Sequence, residues 1–178
     1  MPRASTLPRA CAIGVVVVAL SSGACGGGGA PSSAAPGTAS VARVVDGDTI
    51  RVRIGGREER VRLVGIDTPE SVKPGTPVQC FALAASARTK AMLPKGSAVR
   101  LVRDVEERDR YGRLLAYVYR VRDGLFVNLA LAREGYAVVL TVPPNVAHTD
   151  EFVAAARDAR EHGRGLWSRC EPDAVPDG

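Results

Sequence analysis

Three short segments of alternating character follow one another between residues 40 and 66, with almost no connecting chain. V-A-R-V-V-D runs into Gly47-Asp48. T-I-R-V-R-I then sets Ile50, Val52 and Ile54 against Thr49, Arg51 and Arg53, and Gly55-Gly56 leads into E-R-V-R-L-V-G-I. Period-two alternation marks strands with one buried face, and a Gly-Gly pair between two of them signals a two-residue hairpin. The folded part of the chain therefore opens as a β-structure.

The third strand ends at Thr68-Pro69, and a loop containing Pro74, Gly75 and Pro77 follows. Residues 79–93, rich in alanine and free of glycine, predict a helix closed by Pro94 and Gly96. Ala98–Arg103 and Leu114–Val121 predict two more strands, Asn128–Gly135 part of a second helix and 149–161 a third, with Asp150 and Glu151 suited to the positive end of its dipole. The chain is 46% hydrophobic but only 4% aromatic, so its core must be aliphatic. Five strands interleaved with three helices, without an internal repeat, predict an α+β, mainly β domain. The economical form is a five-stranded OB-fold barrel carrying three helices.

Both ends fall outside that domain, which is expected over residues 40–170. Residues 1–25 read as an export signal: Arg3 and Arg9, the apolar run Cys11–Leu20, then small residues. The run is too short for a membrane span of about 20 residues. S-G-A-C ending at Cys25 resembles a lipobox, whose cysteine carries a lipid anchor; ordinary cleavage near Ala24 is the alternative. Export to the cell surface or the medium follows either way. Residues 26–39, almost all Gly, Ser, Ala and Pro, are expected as a disordered linker, and 171–178 as a flexible tail. Net charge is +5, or +3 once Arg3 and Arg9 are removed with the signal, which permits a polyanionic partner without demanding one. Cys80 and Cys170 remain in the domain; an isolated pair in an exported chain reads as a disulfide, against two buried free thiols.

Three clusters could carry chemistry. In V-D-G-D-T, Asp46 and Asp48 flank a glycine, and a turn alone would favour those residues. In R-L-V-G-I-D-T-P-E, Asp67 and Glu70 leave a strand on a proline-stiffened turn, while Arg62 shares a strand face with Val64. An arginine there either reaches the surface or meets an anion. In D-R-Y-G-R, Arg113 opens a strand beside the Gly112 turn, where solvated surface is the default. Taken together they offer more. Asp48, Asp67 and the Thr68 carbonyl are hard oxygen donors of the kind Ca²⁺ takes. Two guanidinium groups match a phosphodiester's oxygens, and Glu70 could serve an attacking water.

The three blocks, in this order and spacing, resemble the signature segments of the staphylococcal nuclease family, and G-R-G-L-W-S resembles its final helix; the likeness covers about residues 41–169. It implies calcium-dependent hydrolysis of DNA and RNA at the 5′ P–O bond, leaving 3′-phosphates. It also implies roles: Asp48, Asp67 and Thr68 as calcium ligands, and Asp46 as a carboxylate just outside them. Glu70 would act on the attacking water, Arg62 and Arg113 on the phosphate, and Tyr111 and Tyr117 would pack around the nucleotide. Lys73 is the only positive charge in the loop from Ser71 to Gln79 and is expected to touch substrate. Ala82 and Ala84 depart from the Gly and Glu common among relatives near the first helix. His148 is read as structural, because this chemistry needs no imidazole. A monomer is expected. The rival reading is a non-catalytic nucleic-acid-binding OB-fold module on the cell envelope; a structural envelope lipoprotein has only the N-terminus in its favour.

Overall fold

The computed structural model of the chain describes residues 38–71, 75 and 77–175. The expected export signal, Cys25, residues 26–37 of the expected linker and Lys73 lie outside them.

Strands β1 (Thr38–Asp46), β2 (Thr49–Ile54) and β3 (Arg57–Leu63) form an antiparallel meander. The strand β5 (Ala98–Val102) follows helix α1 (Ala82–Met92) and pairs with both β1 and β6 (Leu114–Arg120). β6 then runs parallel to β3, closing a barrel in the order β1-β2-β3-β6-β5. Helix α2 (Val127–Arg133), helix α3 (Thr149–Glu161) and the short α4 (Leu166–Arg169) complete the domain. This is the mainly β, five-stranded OB-type barrel with helices that the alternation pattern implies. Its interior is aliphatic, with Ile50, Val52, Val61, Leu63, Val99 and Val118 shielded completely.

The third strand differs from expectation. It stops at Leu63, and a separate strand β4 (Gly65–Asp67) pairs antiparallel with β7 (Val138–Leu140). The break falls at Gly65, whose φ of 84° suits glycine, and a Cβ there would lie 2.2 Å from the Phe152 ring. Buried Asn128 holds the junction: its amide donates to the carbonyls of Val64 (2.9 Å) and Ala116 (3.2 Å) and its oxygen accepts from the Val118 N–H (2.9 Å). The chain thus leaves β3 for a separate two-stranded sheet, β4 with β7, whose end carries Asp67.

The edges also differ slightly. β1 begins at Thr38, inside the stretch expected as linker, because Thr38 and Ala39 pair with Arg100 and Val99. Pro172–Ala174 form a 3₁₀ turn within the expected flexible tail. The helix expected from residue 79 starts only at Ala82. Cys80 is bonded to Cys170 (S–S 2.02 Å), and Phe81 takes a left-handed conformation ahead of the first turn. Arg88 forks onto Glu134 at 2.6 and 2.7 Å, joining α1 to the end of α2.

Candidate active site

The β1–β2 turn, the segment following β4 and the turn before β6 converge on one cleft of about 760 Å³. Parallel pairing of Arg62 with Leu115 puts the Arg113 turn beside Arg62, and pairing of Asp67 with Val138 fixes the end of β4. Asp48, Arg62, Asp67, Glu70 and Arg113 all line this cleft.

Gly47 explains how two of these pieces meet. Its φ is not left-handed, so the turn itself does not demand glycine. A Cβ at this position would sit 2.6 Å from Thr68 Oγ1 and 2.8 Å from Thr68 Cβ. The missing side chain lets the Thr68 segment lie directly on the turn. Thr68 then donates to Asp48 Oδ2 from both its N–H and its hydroxyl, at 3.1 Å each, while Thr49 Oγ1 donates to Asp48 Oδ1 at 2.9 Å. Asp48 is therefore buried with three neutral donors around it.

Arg62 sits between the carboxylates. Its Nη2 lies 2.6 Å from Asp67 Oδ1 and 3.3 Å from Asp48 Oδ2, and its Nη1 donates to the carbonyls of Leu63 and Ile66 at 2.6 and 2.8 Å. The arginine left facing an apolar neighbour by its strand position has met carboxylates rather than solvent. One guanidinium does not balance the charge around it. Burial, with the nearby Asp48 and Glu70 charges, pushes the Asp67 carboxyl up to about 6 despite the Arg62 contact. Burial also raises Asp46, against the hydrogen bonds of Ser71.

Those bonds give Asp46 a definite task. Asp46 Oδ1 accepts from Ser71 Oγ (2.6 Å) and from the Gly47 N–H (2.8 Å), anchoring the loop that carries Glu70. Gln79 clasps Glu70 from the other side, its Oε1 accepting from the Glu70 N–H at 2.6 Å while its own N–H donates to the Glu70 carbonyl at 3.0 Å. Neither Ser71 nor Gln79 carries any mark in the sequence that would single it out.

On the opposite wall, Asp109 organises the second arginine. Asp109 Oδ2 accepts from Arg113 Nε at 2.6 Å, and Oδ1 accepts the N–H groups of Tyr111 (2.9 Å) and Arg113 (3.0 Å). Burial pushes the Asp109 carboxyl up, but the Arg113 bonds more than offset it and the net shift is downward. Tyr111 stands exposed at the rim between Arg110 and Arg113, whose guanidinium carbons lie 4.9 and 5.6 Å from its ring centre. The D-R-Y-G-R motif contains this side-chain-capped turn, and its Asp109 is the residue in the sequence that signals it.

Tyr117 is a correction. Expected beside a nucleotide, it lies 2% exposed in the core, donates to Asp104 at 2.9 Å and packs edge-on against His148 at 4.5 Å. Its place in β6 puts it on the face opposite Ala116 and Val118, where Phe126 and Phe152 cover it. His148 belongs to that cluster and bonds Glu151, as the structural reading expects.

No group of three or more His, Cys, Asp or Glu side chains forms a ready cation cage among the described residues. What the cleft does offer is two carboxylates with surplus negative charge and the adjacent Thr68 carbonyl. Such oxygen-only donors suit a hard divalent cation that keeps water among its ligands.

The fold and site together define an OB-type barrel whose cleft pairs a hard-cation donor set with arginines suited to an anionic ester. A family profile described as "Staphylococcal nuclease homologue" matches residues 60–169. The chain is 46% identical over 129 residues to the thermonuclease of Staphylococcus intermedius, covering 72% of this chain and 75% of that protein. It is 42% identical over 137 residues to the thermonuclease of Staphylococcus hyicus (77% and 79% covered). It is also 39% identical over 128 residues to endonuclease YncB of Bacillus subtilis (71% and 60% covered). The chain belongs to the staphylococcal nuclease family.

Proposed function

We propose that this protein is a calcium-dependent nuclease that hydrolyses DNA and RNA at the 5′ P–O bond and leaves 3′-phosphates. One observation carries the reading: Arg62 bridges Asp48 and Asp67 in the same cleft that holds Glu70 and Arg113. The names of the relatives, two thermonucleases and an endonuclease, point the same way.

Asp48 and Asp67, with the Thr68 carbonyl, would hold the calcium, which when bound supplies Lewis-acid stabilisation of charge on the phosphate. Arg62 and Arg113 hold the phosphodiester from two walls, and their planar donors match the oxygens on which charge grows. Glu70, fixed by Gln79 and by the Asp46-anchored loop, takes or orients the proton of the water that attacks phosphorus. Tyr111 supports the substrate at the rim, with Arg110 and Arg113 along its ring. Asp46 acts through the loop and stays outside the ligand set.

The test is Arg113→Ala. Cleavage should fall by at least about 100-fold with little loss of DNA binding, because this arginine works mainly on the transition state. Equal loss of both would return the cleft to a binding module. The protein is further proposed to act as an exported monomer held at the cell surface by a lipid on Cys25. The support is the short apolar run and S-G-A-C motif. Intact mass of the protein from the membrane fraction tests the anchor: a mature chain beginning after Cys25 would reject it.

A further inference from the structure

Strand register places three arginines side by side on the outer wall of the barrel. Arg43 of β1 is the partner of Arg51 in β2, and Arg51 is the partner of Arg60 in β3. Directly paired residues on antiparallel strands share a face, and like charges placed there repel. A fold ordinarily avoids that arrangement or neutralises it. Here neutralisation is slight. Glu58 approaches Arg51 only to 3.9 Å, and no carboxylate pairs with Arg43 or Arg60 among the described residues. Glu59, next to Arg60, is turned to Arg108 at 3.0 and 3.2 Å. Arg43 and Arg60 are exposed, and Arg51 keeps an Nε shielded from solvent without a partner.

The row has a direction. Arg60 lines the cleft, two residues before Arg62 on the same strand and so about 7 Å from it. From Arg60 the guanidinium groups step outward across β2 to β1, about 5 Å per strand. Between Thr38 and Leu63 there is no Phe, Tyr or Trp, so nothing on this wall offers bases a surface to stack on. The row can read charge and not base identity.

We propose that Arg60, Arg51 and Arg43 form a track that binds the phosphate backbone of a single-stranded nucleic acid as it leaves the cleft. The track rests on the nuclease reading of that cleft and extends it to substrate beyond the cleaved bond. Guanidinium groups match phosphate oxygens in pairs, and a flexible strand can follow a row that crosses three β-strands. The unrelieved repulsion in the free protein is what an arriving polyanion removes. Preference follows for substrates long enough to reach from the cleft to Arg43, independent of their sequence along the track.

The test compares wild type with Arg43→Gln/Arg51→Gln, neither residue lining the cleft, on a single-stranded 12-mer and on a dinucleotide. The double variant should raise KM for the 12-mer about 10-fold near physiological salt, with kcat and the dinucleotide reaction unchanged. The slope of log K against log salt should shrink by about 1.4, because each neutralised phosphate of a single strand contributes roughly 0.7. Arg43→Lys/Arg51→Lys should restore the slope, and the glutamine variant should melt no lower than wild type. An unchanged 12-mer KM and slope would overturn the track, as would equal losses on both substrates or a lowered melting point that lysine does not rescue. Anisotropy of the labelled 12-mer in EGTA reads the track without turnover. A wild type that binds with the full slope and cleaves neither substrate would therefore overturn the nuclease reading alone. Loss of binding to vesicles of equal parts phosphatidylglycerol and phosphatidylcholine, with the oligonucleotide slope intact, would overturn the track and reassign the wall to a membrane surface.

Discussion

Gly47→Ala tests how the cleft is put together. The new methyl carbon would lie 2.6, 2.8 and 2.9 Å from Thr68 Oγ1, Cβ and Cγ2, where ordinary contact needs about 3.5 Å or more. The Thr68 segment must retreat by nearly the difference, which stretches its two 3.1 Å hydrogen bonds to Asp48 beyond useful length. Overpacking a buried site costs about 1–3 kcal/mol, and a hydrogen bond to an ionised group contributes about 1.5–3 kcal/mol. With partial relaxation of the loop, urea unfolding should show a loss of roughly 2–5 kcal/mol. The same retreat displaces Asp67 and Glu70, and a misplacement of about 1 Å at a reacting centre can cost about 100-fold in rate. Gly55→Ala is the control. Gly55 has a φ of 54° with nothing within 4 Å of its absent Cβ, so alanine there should cost only about 1–2 kcal/mol of stability through backbone strain and no activity. A Gly47→Ala protein within about 0.5 kcal/mol of wild type and fully active would refute the close-approach argument.

Other outcomes follow from the same contacts. Tyr117→Phe keeps the core ring and removes one bond to Asp104, so stability should fall by about 1–2 kcal/mol with activity unchanged; loss of substrate affinity instead would restore Tyr117 to the nucleotide site. Replacing Cys80 and Cys170 by serine frees a loop of sequence separation 90, for which chain entropy sets an upper limit of about 4–5 kcal/mol, read as a lowered melting point. Asp109 has a folded-state pKa below its ordinary value, so its contribution is present above the unfolded pKa and lost as pH falls through the folded one. Asp109→Asn should therefore be less stable than wild type at pH 7, with the gap shrinking as pH falls below the ordinary carboxylate range; a gap that stays constant into acid would contradict the ion-pair origin. Calcium at about 100 times its Kd should stabilise the protein by roughly 2.7 kcal/mol at neutral pH, and Asp48→Ala should abolish that gain.

Much of this was legible from sequence because it is local. The alternation of Ile50, Val52 and Ile54 against arginines marks β2, Gly55-Gly56 marks its hairpin, and D-G-D, I-D-T-P-E and D-R-Y-G-R mark the cleft's three walls. What stayed hidden depends on partners distant in the chain. The break at Gly65 is set by Phe152, 87 positions later (152 less 65), and β4 takes shape only against the three residues of β7. Gly47 looked like a turn glycine, yet its reason is Thr68. Tyr117 shares a face of β6 with Leu115, the partner of Arg62, and alternation alone would leave it outside the barrel; its burial is set by Phe126, His148 and Phe152, later in the chain. Gln79 and Ser71 fix Glu70 through contacts with no sequence period.

The most direct test of the central claim is hydrolysis of single-stranded DNA and of RNA by the purified protein, in calcium, in EGTA, and after calcium is restored. Cleavage of both substrates in calcium, its loss in EGTA and its return are expected, with 3′-phosphate ends on the products. Cleavage that continues unchanged in EGTA would contradict the role given to Asp48 and Asp67, and no cleavage under any of the three conditions would contradict the nuclease itself.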